Sequence, residues 1–157
     1  RDYLLMIVYR MVMSAYARDL SCAGPRLYGG RWNPKGIGVI YTSESRALAA
    51  LEYYVHLSRS VILPGISIVS IEILDSVSRK GIAMSDLTKN WRIYPAPPEL
   101  AAIGAEWVRS KESLLLCVPS AIMPPERNIL INPVHPEMKK VRIIKIEEYV
   151  LDQRLIS

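Results

Sequence analysis

Residues 27–57, LYGGRWNPKGIGVIYTSESRALAALEYYVHL, set three kinds of segment end to end. First comes a glycine-rich turn carrying an arginine and a tryptophan, Gly29-Gly30-Arg31-Trp32-Asn33. Adjacent glycines let a backbone take positive φ or approach a ligand closely, so Arg31 sits on a turn shaped for more than linking two strands. Val39-Ile40-Tyr41-Thr42 follows as a short β-branched strand that aims Tyr41. Then comes a helix. Ala47, Leu48, Leu51, Tyr54 and Val55 fall at i, i+1, i+4, i+7 and i+8, the spacing of a core-facing stripe. Ser43 or Ser45 can cap its start, since a short hydroxyl satisfies first-turn amides. Glu52 lies four residues after Leu48 and three before Val55, at the border of that stripe. A carboxylate there must be paired or hydrogen-bonded, because burying it alone is costly. Two readings stand: a core-edge glutamate satisfied by Arg31 or another base, and a functional carboxylate.

At 157 residues the chain is long enough for one domain with a real core. Half the residues are hydrophobic and 22% are charged, which suits a soluble globular protein and argues against disorder. The apolar runs 4–9 and 113–118 break well below the roughly 18 residues of a membrane span. Arg1, Asp2 and Arg10 flank the first run and no cleavage site follows it, so no signal peptide is expected. Cys22 and Cys117 have no partner His at metal spacing and read as reduced cysteines of a cytoplasmic protein, Cys117 as plain core. The net charge of +5 favours an anionic ligand or partner: nucleic acid, a dinucleotide or an acidic protein surface.

In chain order, residues 6–12 read as a first strand ending near Arg10, and 14–28 as a loop with a short helix. Residues 66–74, ISIVSIEIL, are the clearest strand, apolar on both faces and therefore central. A turn-rich connection follows over 75–94, with a helical piece at 85–87. Pro98 can open a helix over 98–110 that carries Leu100, Ile103 and Trp107. Residues 114–118, 128–131 and 141–149 read as strands, and 136–140 as a helical turn. The expectation is a single α+β domain over 1–157 with little βαβ alternation.

Generic motifs are missing. There is no GxGxxG, P-loop or HExxH, and His56 and His135 are the only histidines, so no metal is expected. Ser120 follows a proline and lacks both a GxSxG setting and a partnered His, so a serine hydrolase is not expected. His135, between Pro133-Val134 and Pro136, reads as a turn or cap residue. Trp32, Trp91 and Trp107 read as core or pocket walls.

Three separated motifs, in order, carry a resemblance: GGRWNPKG leading into VIYTSES and ALAALE, then VPSAIMPPERNILINPVHP, then Asp152, Arg154 and Leu155. Together they resemble the RES-domain toxins, a family named for an arginine, a glutamate and a serine. Arg31, Glu52 and Ser120 stand at those positions. The departures are mild: there is no Phe, and Met138 stands where an aromatic is common.

The resemblance implies a mixed, twisted β core similar to the ADP-ribosyltransferase fold. It also implies a toxin of a type II toxin–antitoxin pair that cleaves the nicotinamide–ribose bond of NAD+, its consumed substrate. On that reading Arg31, Glu52 and Tyr41 form the catalytic set, and Arg31, Tyr28, Tyr41 and Ser120 bind NAD+. A planar arginine can clamp a pyrophosphate bidentately. A fixed carboxylate can stabilise the oxocarbenium-like ribose. Tyr28 and Tyr41 offer rings and phenols. The implied partner is an Xre-like antitoxin, with DNA met only through it, no membrane, and a homodimer allowed within a hetero-oligomer. Lys35 and Arg46 could gather a phosphate as acceptor of the ADP-ribose. Transfer to a protein is the alternative enzymatic reading, and a basic nucleic-acid binder using Arg31 and the aromatic rings is the non-enzymatic one.

Overall fold

The structure is a computed structural model and describes residues 4–57 and 65–155. Among these residues seven strands form one sheet: β1 (Leu5–Met13), β2 (Ile40–Ser43), β3 (Ile66–Leu74), β4 (Arg79–Gly81), β5 (Leu115–Pro119), β6 (Arg127–Ile131) and β7 (Val141–Tyr149). Their order is β4-β5-β6-β2-β1-β3-β7. The β4–β5 pair is parallel and the other pairs are antiparallel, so the sheet is mixed. The α-helices are α1 (Ala23–Tyr28), α2 (Arg46–Tyr54) and α3 (Pro98–Ser110). This is the expected α+β class.

β3 is apolar on both faces because it feeds both sides of the sheet. Val69, Ile71 and Ile73 join Val8, Ile40, Leu115, Ile129 and Ile131 in one buried cluster, to which Ala17 and the two cysteines also belong. Both cysteines are free. Ile66 and Ile68 point the other way, with Met11, beneath α2. On that same face Leu116, Val118 and Leu130 pack under Leu100, Trp107 and Val108 of α3. Each fully buried aliphatic side chain contributes about 1.5–3 kcal/mol. The Trp107 indole keeps its donor satisfied on Ser113 Oγ at 3.0 Å.

Some expectations are corrected. β1 runs past Arg10 to Met13, because the antiparallel ladder with β3 continues to Met13↔Ile66. Of the stripe Ala47-Leu48-Leu51-Tyr54-Val55, α2 turns Leu48 and Tyr54 to the core but not its two ends. Ala47 and Val55 are exposed, whereas Leu48 and Ala49 are buried. Ala50, Tyr53, Tyr54 and Leu57, at i, i+3, i+4 and i+7, pack on the Met11–Ile66–Ile68 cluster. Glu52 therefore sits one turn beyond Leu48 and Ala49, on a covered side of the helix. Ser45 is the cap, accepting from the Leu48 amide at 3.1 Å, while Ser43 belongs to β2.

His135 is a cap, as expected: it precedes the 3-10 turn Pro136–Lys140 and its Nδ1 accepts from the Glu137 amide at 3.0 Å. Glu137 accepts from the Ser78 amide at 3.0 Å and from the Ser78 hydroxyl, and these bonds hold its carboxyl below the usual range. A depressed folded-state pKa stabilises the fold above the unfolded value of about 4.3. That stabilisation disappears as pH falls through the folded value. Glu137→Gln is thus expected to flatten the acid side of the stability curve, measured by denaturation between about pH 7 and about pH 3. An unchanged slope would show that Glu137 carries no acid sensitivity.

Candidate active site

The GGRWN turn is built from the inside by Asn33, which is almost fully buried. Its Nδ2 donates to the Pro25 and Ile37 carbonyls, each at 2.8 Å, and its Oδ1 accepts from the Tyr41 hydroxyl. The same hydroxyl accepts from the Trp32 amide at 3.1 Å. Burial pushes the Tyr41 phenol well above its ordinary pKa, so it stays a donor. Gly29 turns the chain at φ 77°, where a side chain would be strained. At Gly30 the close approach is by protein, not by ligand: a Cβ would lie 2.7 Å from the Tyr41 hydroxyl.

Arg31 leaves this turn and donates from its two terminal nitrogens to the Trp91 carbonyl at 2.8 Å and the Ile93 carbonyl at 3.1 Å. Burial lowers its pKa, and the charge of nearby Glu52 pulls it back up, with smaller effects from Tyr41 and Tyr94. The segment that Arg31 holds is tied down elsewhere too. Arg92 Nε donates to the Ala121 carbonyl at 2.8 Å, and the Tyr94 and His56 rings lie 6.4 Å apart. Tyr94 is 80% exposed beside these charges. It presents a ring at the site that sequence reasoning missed, since WRIYPAPP reads only as a connection.

Glu52 faces the same space from α2. It makes no ion pair with Arg31. Its Oε2 instead accepts from the Ser120 hydroxyl and from Asn128 Nδ2, both at 2.7 Å. Among the described residues nothing donates to Oε1. Among the described residues the half-buried carboxylate is thus satisfied by neutral donors, and Arg31 meets it only through its charge.

The residues expected from the sequence are thus only partly brought together. Arg31, Glu52 and Ser120 meet around one space. Ser120 is fully buried, and its hydroxyl also accepts from the Ile122 and Met123 amides at 3.1 Å. With one proton given to Glu52 and two amides bound, it orients the carboxylate and the 120–123 turn. Tyr41 adjoins the space, with its hydroxyl spent on the turn. Tyr28 ends α1, 74% exposed, and none of its contacts ties it to Glu52. Arg46, expected to help gather an anion, lies elsewhere. It stacks 4.5 Å over the Tyr9 ring and pairs with Glu147 at 3.4 Å. Among the described residues no group of three or more His, Cys, Asp or Glu could hold a metal ion. No described helix is long and apolar enough to cross a membrane.

The RES domain family model matches residues 7–152, and the chain belongs to that family. It is 39% identical over 142 residues to the Prs ADP-ribosylating toxin of Sphingobium sp. strain YBL2, covering 89% of this chain and 88% of that protein. It is 44% identical over 131 residues to Toxin Res of Yersinia enterocolitica, covering 83% and 86%. Its fold is similar to a chain in the crystal structure of the M. tuberculosis MbcT–MbcA toxin–antitoxin complex, with a TM-score of 0.75 at 16% identity over 94% of this chain and 85% of that one.

Proposed function

We propose that this protein is a cytoplasmic toxin of a toxin–antitoxin pair that cleaves the nicotinamide–ribose bond of NAD+. The observation that carries the reading is the Glu52 carboxylate, held by Ser120 and Asn128 at one oxygen and given no donor at the other among the described residues, within reach of the Arg31 charge. In the reaction the C–N glycosidic bond breaks and its electron pair leaves with nicotinamide. Positive charge builds on the ribose, where a fixed carboxylate stabilises it and can hold a ribose hydroxyl. Arg31 keeps N–H donors beyond the two spent on Trp91 and Ile93, and these are suited to the pyrophosphate. The exposed Tyr94 ring offers a stacking face beside it.

A small acceptor, water or phosphate, fits the surroundings of Glu52. Two residues before it stands Ala50, which packs on the Met11–Ile66–Ile68 cluster and offers no group to activate a protein acceptor. The position of Arg46 weakens the case for a built phosphate site. A second reading, transfer of ADP-ribose to a protein, is favoured by the name of the Sphingobium relative. The toxin–antitoxin complex among similar folds supports an antitoxin partner, for which we propose an acidic segment suited to the +5 charge. Incubating the purified chain with NAD+ and weighing the products with and without phosphate tests the reaction. Free ADP-ribose or its phosphate is expected. A labelled protein with little free product would favour the second reading, and intact NAD+ would end both.

Arg31→Lys keeps the charge but cannot span two carbonyls and still grip a phosphate. Losing one charge-assisted hydrogen bond costs about 1.5–3 kcal/mol, so NAD+ should bind about tenfold or more weakly by calorimetry. An unchanged dissociation constant would leave Arg31 only as the clamp on residues 91–93.

A further inference from the structure

We infer that Asn128 is a positioning residue for Glu52 and that buried Ser43 fixes its orientation, so that a three-member relay sets the carboxylate. This rests on the NAD+-cleaving reading for its effect on rate, though not for its geometry. Ser43 and Asn128 face one another in the β2–β6 register. The Ser43 hydroxyl lies 2.7 Å from Asn128 Oδ1, and Asn128 Nδ2 lies 2.7 Å from Glu52 Oε2.

The proton order along this chain has one solution. An ionised carboxylate only accepts, so the amide must turn its NH2 toward Glu52. Its oxygen then faces Ser43, which must donate. Ser43 is 3% exposed, so water is a poor substitute for this donor. Removing it leaves the amide oxygen without its donor and the side chain held only through its NH2, so the amide is free to tilt and carry its grip on Oε2 out of line. Among the described residues Ser120 then remains as the one well-fixed anchor on Oε2. The sheet thereby fixes a side chain that belongs to a helix: rigid strands β2 and β6 set the aim of a group on α2.

A double-mutant cycle tests this, using the full chain and NAD+. Asn128→Ala should lower kcat about tenfold to a hundredfold with KM little changed, since the reacting carboxylate is disturbed and the binding groups are not. Ser43→Ala should lower kcat less, and Ser43→Thr, which keeps the hydroxyl, should restore it. Because Ser43 acts through Asn128, the double variant should match Asn128→Ala alone. Effects that multiply, or a loss confined to KM, would overturn the relay. The Asn128 side-chain amide supplies a readout independent of activity and of any replacement at position 128. Its proton–nitrogen signals should move in Ser43→Ala and return in Ser43→Thr. If they do not move, the relay is wrong even where NAD+ is cleaved. If they move while the wild type leaves NAD+ intact, the relay stands and the reaction assigned to the site falls.

Discussion

Glu52→Gln is expected to abolish measurable NAD+ cleavage, by on the order of a hundredfold or more, while the chain folds normally. The amide is nearly isosteric with the carboxylate, and its oxygen can still accept from Ser120 and Asn128 at the Oε2 position. Both anchors therefore stay satisfied and little stability should be lost. What disappears is the negative charge that the proposed reaction needs beside the ribose. Glu52→Ala is a poorer probe, because it strands a fully buried hydroxyl and an amide. Each unsatisfied group of that kind costs about 1–3 kcal/mol. Circular dichroism and thermal melting of the Gln variant check the fold, and nicotinamide release checks the chemistry. A folded Gln variant that turns over like wild type would remove Glu52 from the reaction.

The second large effect is structural. Gly104 lies in the interior of α3, where alanine is normally better by about 1 kcal/mol. Here a Cβ would overlap the Trp32 carbonyl oxygen, a backbone atom with no rotamer in which to escape. Helix α3 thus rests directly on the turn that carries Arg31. Gly104→Ala should destabilise the fold by about 3 kcal/mol or more, the upper part of the range for overpacked cores. Any folded fraction should also bind NAD+ poorly, because relief requires the Arg31–Trp32 turn to shift. Denaturant titration decides the matter. Stability equal to or above wild type would mean that helix and turn separate easily.

Where one residue's neighbours announce its role, the chain is legible. Pro98 and the Leu100–Trp107 spacing outline α3 to its ends, and the unbroken Ile and Val of ISIVSIEIL outline β3. Arg31, Glu52 and Ser120 stand out because their motifs resemble those of the RES family. β4 is invisible by pattern, since Arg79, Lys80 and Gly81 are all exposed and are strand only by lying against β5. The facing of α2 is only partly legible, with Leu48 and Tyr54 inward as expected and Ala47 and Val55 not, for a related reason. Helical spacing cannot choose between Ala47 and Ala50 when the helix is covered on two sides. Ser43 and Asn128 read as a cap and a strand end. Their roles come from the register of β2 on β6, a long-range pairing that local composition does not encode.

That pairing also governs when a newly made chain could become dangerous. Arg31 and Glu52 are synthesised early, but Ser120 and Asn128 leave the ribosome late. β2 finds its second neighbour only once β6 has emerged. Until then the glutamate lacks both of its anchors, so the growing polypeptide carries the chemical groups of a toxin without their arrangement. Synthesis runs at about 5–20 residues per second, so arming waits for some seconds after Glu52 is made, until the later pair has followed it. A cell making such a protein meets its activity only after both halves of the site exist, an interval in which the proposed antitoxin has time to be ready.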